Sequence, residues 1–462
     1  MRPGEENQVG KKAPYSRSRL PLLILLAVAL GIRVWIFQRI SPRINTDSIT
    51  YLVLKDVDTV RTPGYPLFIE AVQFFNDLFS ITSDHLRLII FVQMFVLGLL
   101  NTWLIYKLAK LLTGSQAFSV LIGLIFNLDY FVTGSELLIL TETLAMTLLW
   151  LTLFFYSRIF EGKRFAPYLA GFFSVWLLLT RPTYIAFFAA LLGFTFIVHL
   201  RPVFKEGFLG IYFKPLLIFC LISIAGIGAW SLRNKIKYDY FGISTLLPYQ
   251  LSYYTESFYD KYKMGDDREL DRYARILIEE KGQMHGFDRR LREMKIPDPK
   301  IASILMKLNL KLIKDNPRDY LRIIPKAASD YFSYSWYWTT PHNKDILAKN
   351  PPLARFYRFF QRVYSAVFTN LWSLLALIVV CPFIVLVAVR NKTRGFHLFC
   401  LLEGAVLYNF LISVPLTNAG VNNMRFRVPV EPLMLMIGFG ALFLIGRAAT
   451  VSFKEARRRP II

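Results

Sequence analysis

Apolar runs recur along this chain at lengths close to the ~20 residues a helix needs to cross a bilayer. They occupy 20–40, 86–112, 117–131, 137–156, 167–179, 184–200 and 213–232. After a long polar region they return at 371–389, 396–414 and 428–445. Inside hydrocarbon every backbone N–H and C=O needs a partner, and continuous runs of this kind meet that demand as helices. The expected fold is all-α and polytopic, with about ten spans. Composition agrees: 54% of the 462 residues are hydrophobic, 16% are aromatic and mean hydropathy is +0.40. An ordinary soluble domain does not look like this.

The formal charge of +23 raises the question of nucleic acid. Here the cations sit between apolar runs and not along one face of a soluble domain, which argues against it. With the N-terminus inside, the inner connections carry Lys107 and Lys110, then Arg158, Lys163 and Arg164, then Arg201, Lys205 and Lys214. Arg390, Lys392 and Arg394 follow, and finally Arg447, Lys454, Arg457, Arg458 and Arg459. That is the positive-inside pattern, and it predicts both termini in the cytoplasm. No small-x-small cleavage site follows the first run, so it is expected to stay as a span. Arg33, inside it, is expected to snorkel to the outer interface, a place near a substrate phosphate being the alternative.

The chain then divides into a basic N-terminus (1–19) and a transmembrane catalytic module (20–232) with a first outer loop at 41–85. An outer-face region (233–370), C-terminal spans (371–448) and a basic cytoplasmic tail (449–462) complete it. From 267 to about 324, apolar residues recur at helical spacing among charges, which predicts amphipathic helices on or near the membrane surface. Residues 331–338, YFSYSWYW, predict an interfacial aromatic belt, with cover over a lipid or sugar site as the alternative. Cys220, Cys381 and Cys400 lie in or beside apolar segments as packing residues. His85, His199, His285, His342 and His397 form no HExxH pattern and no His-carboxylate cluster, which argues against a zinc hydrolase.

Chemistry concentrates at 45–66, directly after the first run. Asp47 and Tyr51 stand four residues apart and share one face of a helix that Asn45 and Thr46 can cap. Arg61-Thr62-Pro63-Gly64-Tyr65-Pro66 is a turn with two fixed φ angles that displays a cation and a ring. Other costly polar residues map to the same outer edge. Glu142 sits just inside the fourth run and is a functional candidate by default, whereas Glu136, nearer the loop, is expected to be solvated. Arg181-Pro182 breaks an apolar stretch, Arg233-Asn234 follows Trp230, and Arg425 and Arg427 open the last run. Each arginine alone is an ordinary interfacial anchor; together they predict a cationic rim around Asp47 and Glu142. Asp56-Val57-Asp58 has the DxD form of soluble nucleotide-sugar transferases but is read as a solvated turn, since no Gly-rich loop accompanies it.

These residues, taken in order, resemble the GT-C glycosyltransferases, in particular bacterial members related to protein O-mannosyltransferases and the aminoarabinose transferase of lipid A. The matching pieces are Asp47-x-x-x-Tyr51, Arg61-Thr62-Pro63-Gly64-Tyr65-Pro66-Leu67, Thr141-Glu142-Thr143 and Arg181-Pro182. Trp230-x-x-Arg233-Asn234, Asp315-Asn316-Pro317-x-x-Tyr320 and Arg425-x-Arg427-x-Pro429-x-x-Pro432 continue the series. The aminoarabinose branch has an acid-base pair where this chain has Arg61-Thr62, which argues against carrying over the lipid A reaction.

The resemblance implies an enzyme of the bacterial plasma membrane with its site on the non-cytoplasmic side. Its donor would be a polyprenyl-phosphate sugar, its acceptor a glycan, lipid or protein, and transfer would invert the anomeric carbon. Asp47 would be the catalytic carboxylate. Arg61, Arg181, Arg233, Arg425 and Arg427 would bind the donor phosphate, and Tyr51, Tyr65 and Asn234 would position substrate. Glu142 would hold the acceptor or sugar, or share a divalent cation with Asp47. A lipid or small-molecule transporter is the rival reading. Such proteins tend to show repeated halves with ionisable residues at the midplane, and this chain shows neither.

Overall fold

The computed structural model describes residues 19–38, 44, 46–52, 59–205, 208–265, 267–332, 355, 395–416 and 423–457. Among them the only regular secondary structure is helical, with no strand. Four helices are long and apolar enough to cross a membrane, at Leu20–Phe37, His85–Thr113, Tyr212–Tyr238 and Leu398–Leu416. Shorter apolar helices follow the same pattern at Gln116–Leu128, Ala166–Thr180, Pro182–Phe196 and Glu431–Phe443. The expected span at 371–389 and the Asp56-Val57-Asp58 turn lie outside the described residues.

Helix ends follow local rules. Proline in the first turn starts helices at Leu20, Ala166 and Asp298, where a missing N–H costs nothing. Gly114 ends the His85–Thr113 helix at φ 72°, and its N–H returns to the Lys110 carbonyl at 2.8 Å, a left-handed cap that glycine adopts without strain. The fourth expected run becomes helical later than its hydropathy implies. Residues 136–141 form a non-helical segment, and the helix begins at Glu142 and runs to Ile159.

That short segment is buried, and an ion pair holds it. Arg33 donates from Nε and Nη2 to the two Glu136 carboxylate oxygens at 3.0 and 2.7 Å, and both side chains are 0% exposed. Asn127 accepts a third bond from Arg33 at 2.5 Å. Snorkelling is therefore not what Arg33 does, and Glu136 is not solvated. A bidentate guanidinium–carboxylate pair removes both charges from the need for water. Gly98 makes room for it, since a Cβ there would collide with the Arg33 guanidinium and the Glu136 carboxylate.

The expected amphipathic helices exist at Arg268–Glu279, Met284–Glu293 and Asp298–Asp315, but their apolar faces do not meet lipid. Leu270, Tyr273, Leu277, Phe287, Leu291, Ile301, Leu305, Leu308 and Leu312 pack on one another as a second core. Three short helices each with one apolar stripe bury those stripes together more completely than a membrane surface would. The next helix, Pro317–Phe332, links this core to the main one. Tyr331 and Phe332, expected to open the aromatic belt, are buried in the main core; the rest of that stretch lies outside the described residues.

Removing one partner of the Arg33–Glu136 pair strands a buried charge. Arg33→Leu is expected to cost about 3–5 kcal/mol. The double variant Arg33→Leu/Glu136→Leu should recover part of that loss, as read by thermal unfolding in detergent.

Candidate functional site

The helix Thr46–Leu52 presents Asp47 and Tyr51 on one face. Tyr51 is buried against Tyr65, their ring centroids 5.2 Å apart and edge-on. Asp47 is half-buried and bonded at both oxygens: Arg61 Nη2 donates to Oδ1 at 2.9 Å and Arg425 Nη1 donates to Oδ2 at 2.8 Å. Arg61 also donates to the Tyr51 hydroxyl at 3.1 Å, its guanidinium carbon 4.8 Å from that ring's centroid.

Arg425 lies in the 3-10 turn Asn423–Phe426, and with Nε it reaches the Glu142 Oε1 atom at 2.8 Å. One guanidinium thus bridges two carboxylates that are 95 residues apart in sequence. Glu142 opens its helix, where the positive end of the backbone dipole favours a carboxylate. Arg181, extended at the C-cap of Ala166–Thr180 before Pro182, approaches the same Oε1 at 3.8 Å and lies 4.8 Å from the Phe426 ring. Glu142 is 2% exposed, and its Oε2 atom has no hydrogen-bond partner among the described residues. A buried carboxylate oxygen with spare capacity is an acceptor waiting for a hydroxyl.

Electrostatics follow from these contacts. Burial works against the charged form of Asp47, but Arg425 and Arg61 outweigh it and hold the carboxyl below its usual 3.8. Burial, reinforced by the Glu142 carboxylate, pushes the hydroxyls of Tyr51 and Tyr65 above their usual 10.0, so both remain neutral donors and acceptors at physiological pH.

The remaining predicted residues are engaged elsewhere. Arg427 is buried, donating to Glu431 Oε2 at 3.1 Å and to the Tyr331 carbonyl at 2.9 Å. Arg233 sits between the Trp230 and Tyr238 rings, 4.6 and 5.1 Å from their centroids, and donates to Asn234 Oδ1 at 2.8 Å. Its helix continues to Tyr238, so Arg233 does not close that helix as its sequence position implied. Asn234 donates to the Gly242 and Ile243 carbonyls at 2.7 and 3.3 Å. The next two residues hold the chain in front of Arg61, with Ser244 Oγ on the Val60 carbonyl at 2.6 Å and Thr245 N on the Thr59 carbonyl at 2.8 Å. Asn234 therefore supports the site at one remove. Asn45 lies outside the described residues. Gly64 is obligatory for a different reason: a Cβ there would stand 2.5 Å from the Leu179 carbonyl carbon, where Trp176 Nε1 also reaches the Gly64 carbonyl at 3.1 Å.

Two residues escape sequence reasoning. Gln93 is a lone amide inside an apolar run, and it receives the Tyr65 hydroxyl at 2.7 Å. Phe426 was visible only as the spacer between two arginines. A shared divalent cation does not fit the present arrangement of Asp47 and Glu142, because the Arg425 guanidinium takes the place between them. Among the described residues no three His, Cys, Asp or Glu side chains group as a cation would need.

Because the folded Asp47 carboxyl titrates below its free value, its pairs stabilise the fold fully above pH ~4 and are lost as pH falls through that lower value. Wild type and Asp47→Asn are expected to differ in melting temperature by a constant amount from pH 5 to 8, with the curves converging below pH 4. No protein-family model matches this chain, and no curated protein matches it.

Proposed function

We propose that this protein is an inverting membrane glycosyltransferase of the GT-C type. It moves a sugar from a polyprenyl-phosphate donor to an acceptor on the non-cytoplasmic face. In this reading about ten spans cross the bacterial plasma membrane with both termini inside, and the 41–85 loop, the 233–370 region and the turn carrying Arg425 face outward. The observation that carries it is the meeting of Asp47, Arg61, Glu142, Arg181 and Arg425 from distant parts of the chain. Three guanidiniums meet two carboxylates among these five groups. Clustered guanidiniums suit a phosphate, which arginine binds with paired, permanently charged donors.

The chemistry assigns a direction to each group. An acceptor hydroxyl attacks the anomeric carbon, the bond from that carbon to the phosphate oxygen breaks, and the hydroxyl proton passes to Asp47. Negative charge accumulates on the departing polyprenyl phosphate, where Arg61, Arg181 and Arg425 stabilise it. Asp47 is a weak base while both arginines grip it, since they hold its carboxyl low. Donor phosphate competes for those guanidiniums, so donor binding loosens their grip and raises the basicity of Asp47 in the complex. Glu142 Oε2, without a partner among the described residues, accepts a hydroxyl of the acceptor or of the sugar.

Membranes incubated with a panel of labelled polyprenyl-phosphate sugars should transfer label from one of them. Asp47→Asn should lower the rate about 10²–10⁴-fold with insertion and expression unchanged. Transport of a lipid that persists undiminished in that variant, with no transfer from any donor, would overturn the reading. Chelation with EDTA should leave transfer intact, because a guanidinium bridges the carboxylates.

A further inference from the structure

The helix His85–Thr113 is not α-helical throughout. Between Val92 and Leu97 it widens into a π-turn, a costly departure that recurs at functional sites. Gln93 lies in that turn, fully buried. Its amide nitrogen donates to the Glu136 carbonyl at 3.0 Å and to the Leu138 carbonyl at 2.9 Å, and its oxygen accepts from Tyr65 at 2.7 Å. Both amide hydrogens are used, and two carbonyls that can only accept fix which way the amide faces.

Each of these bonds leads toward the charge cluster. Tyr65 packs edge-on against Tyr51, whose hydroxyl receives Arg61, which in turn binds Asp47. The carbonyls of 136 and 138 belong to the non-helical segment that ends at Glu142. The far side of that segment is anchored by the Arg33–Glu136 pair. Turn bonds from the amides of Glu136, Leu137 and Leu138 to the carbonyls of Thr133, Gly134 and Ser135 hold the start of the segment, and the Gln93 amide adds a side-chain hold on two of its carbonyls.

We propose that Gln93 is a positioning residue for this site: its one amide sets both the tyrosine wall behind Asp47 and the segment that delivers Glu142. The proposal rests on the transferase reading only for its effect on rate. Its geometric content stands by itself: the two carboxylates are aligned from a common point, so disturbing Gln93 displaces both arms. Tyr65→Phe removes one bond of the three and Gln93→Leu removes all three at nearly constant volume.

The test combines kinetics with a probe that needs no activity. Tyr51 is replaced by 3-fluorotyrosine, and its fluorine resonance is recorded in otherwise wild-type protein, Gln93→Leu, Tyr65→Phe and the double variant. Both single changes should move the resonance. Each should lower kcat about tenfold or more, as misalignment does, with donor KM changed less than about twofold. The double variant should be no worse than the poorer single one, since both cut the same connection. Should Gln93→Leu fail to fold, Tyr65→Phe, which deletes a single hydroxyl, carries the same comparison. An unmoved resonance, losses that multiply in the double variant, or a kcat loss that merely follows the loss of folded protein would overturn the proposal. A resonance that moves in a protein that transfers no sugar from any donor would sink the transferase reading and leave the positioning role standing.

Discussion

A charge taken out of water must find its opposite, and in this protein that requirement determines which distant segments meet. The Arg425 guanidinium is the clearest case. It has two carboxylates to satisfy, one on the short helix Thr46–Leu52 and one at the start of Glu142–Ile159. Holding both draws the turn Asn423–Phe426 over the ends of elements that sequence separates by hundreds of residues. Arg33 and Glu136 impose the same requirement deeper in the protein, where neither side chain is exposed. Between these two charge sets lies the non-helical segment 136–141, and Gln93 joins them with neutral hydrogen bonds.

This arrangement separates arginines that look alike in the sequence. Arg425 and Arg427 are two residues apart, yet one binds Asp47 and Glu142 while the other binds Glu431 and the Tyr331 carbonyl. A tight turn sends alternate side chains to different partners, so adjacency says little about shared role. Arg233 spends its charge against two rings and its neighbour's amide. Arg61, Arg181 and Arg425 remain as the cations that meet Asp47 and Glu142.

The region after the first set of apolar helices shows how a local pattern can have two physical outcomes. Apolar stripes at helical spacing bury against lipid or against each other with similar local sequence requirements. Here Phe287, Leu291, Leu305 and Leu308 close a second core, because three such helices are close enough in sequence to cover one another. The helix Pro317–Phe332 carries the result back to the main core through Tyr331, whose hydroxyl meets Asn409 Oδ1 at 2.6 Å.

Hydropathy alone located the membrane-compatible helices, because apolar length is a one-dimensional property and the bilayer imposes it directly. The i, i+4 spacing placed Asp47 and Tyr51 on one helical face for the same reason, whereas the turn expected over 61–66 gives way at Gly64 to the helix Gly64–Phe79, since a proline in a helix's first turn loses no bond. Pairing was another matter. That Arg33 holds Glu136 and that Arg425 bridges Glu142 and Asp47 depends on contacts between residues 103, 283 and 378 positions apart. No local pattern encodes such distances, and an apolar run looks continuous through 137–141 although its backbone leaves the helix there. Gln93 is the sharpest instance: in sequence it is one amide in a hydrophobic stretch, and only the approach of a second helix and a buried carbonyl pair makes it a junction.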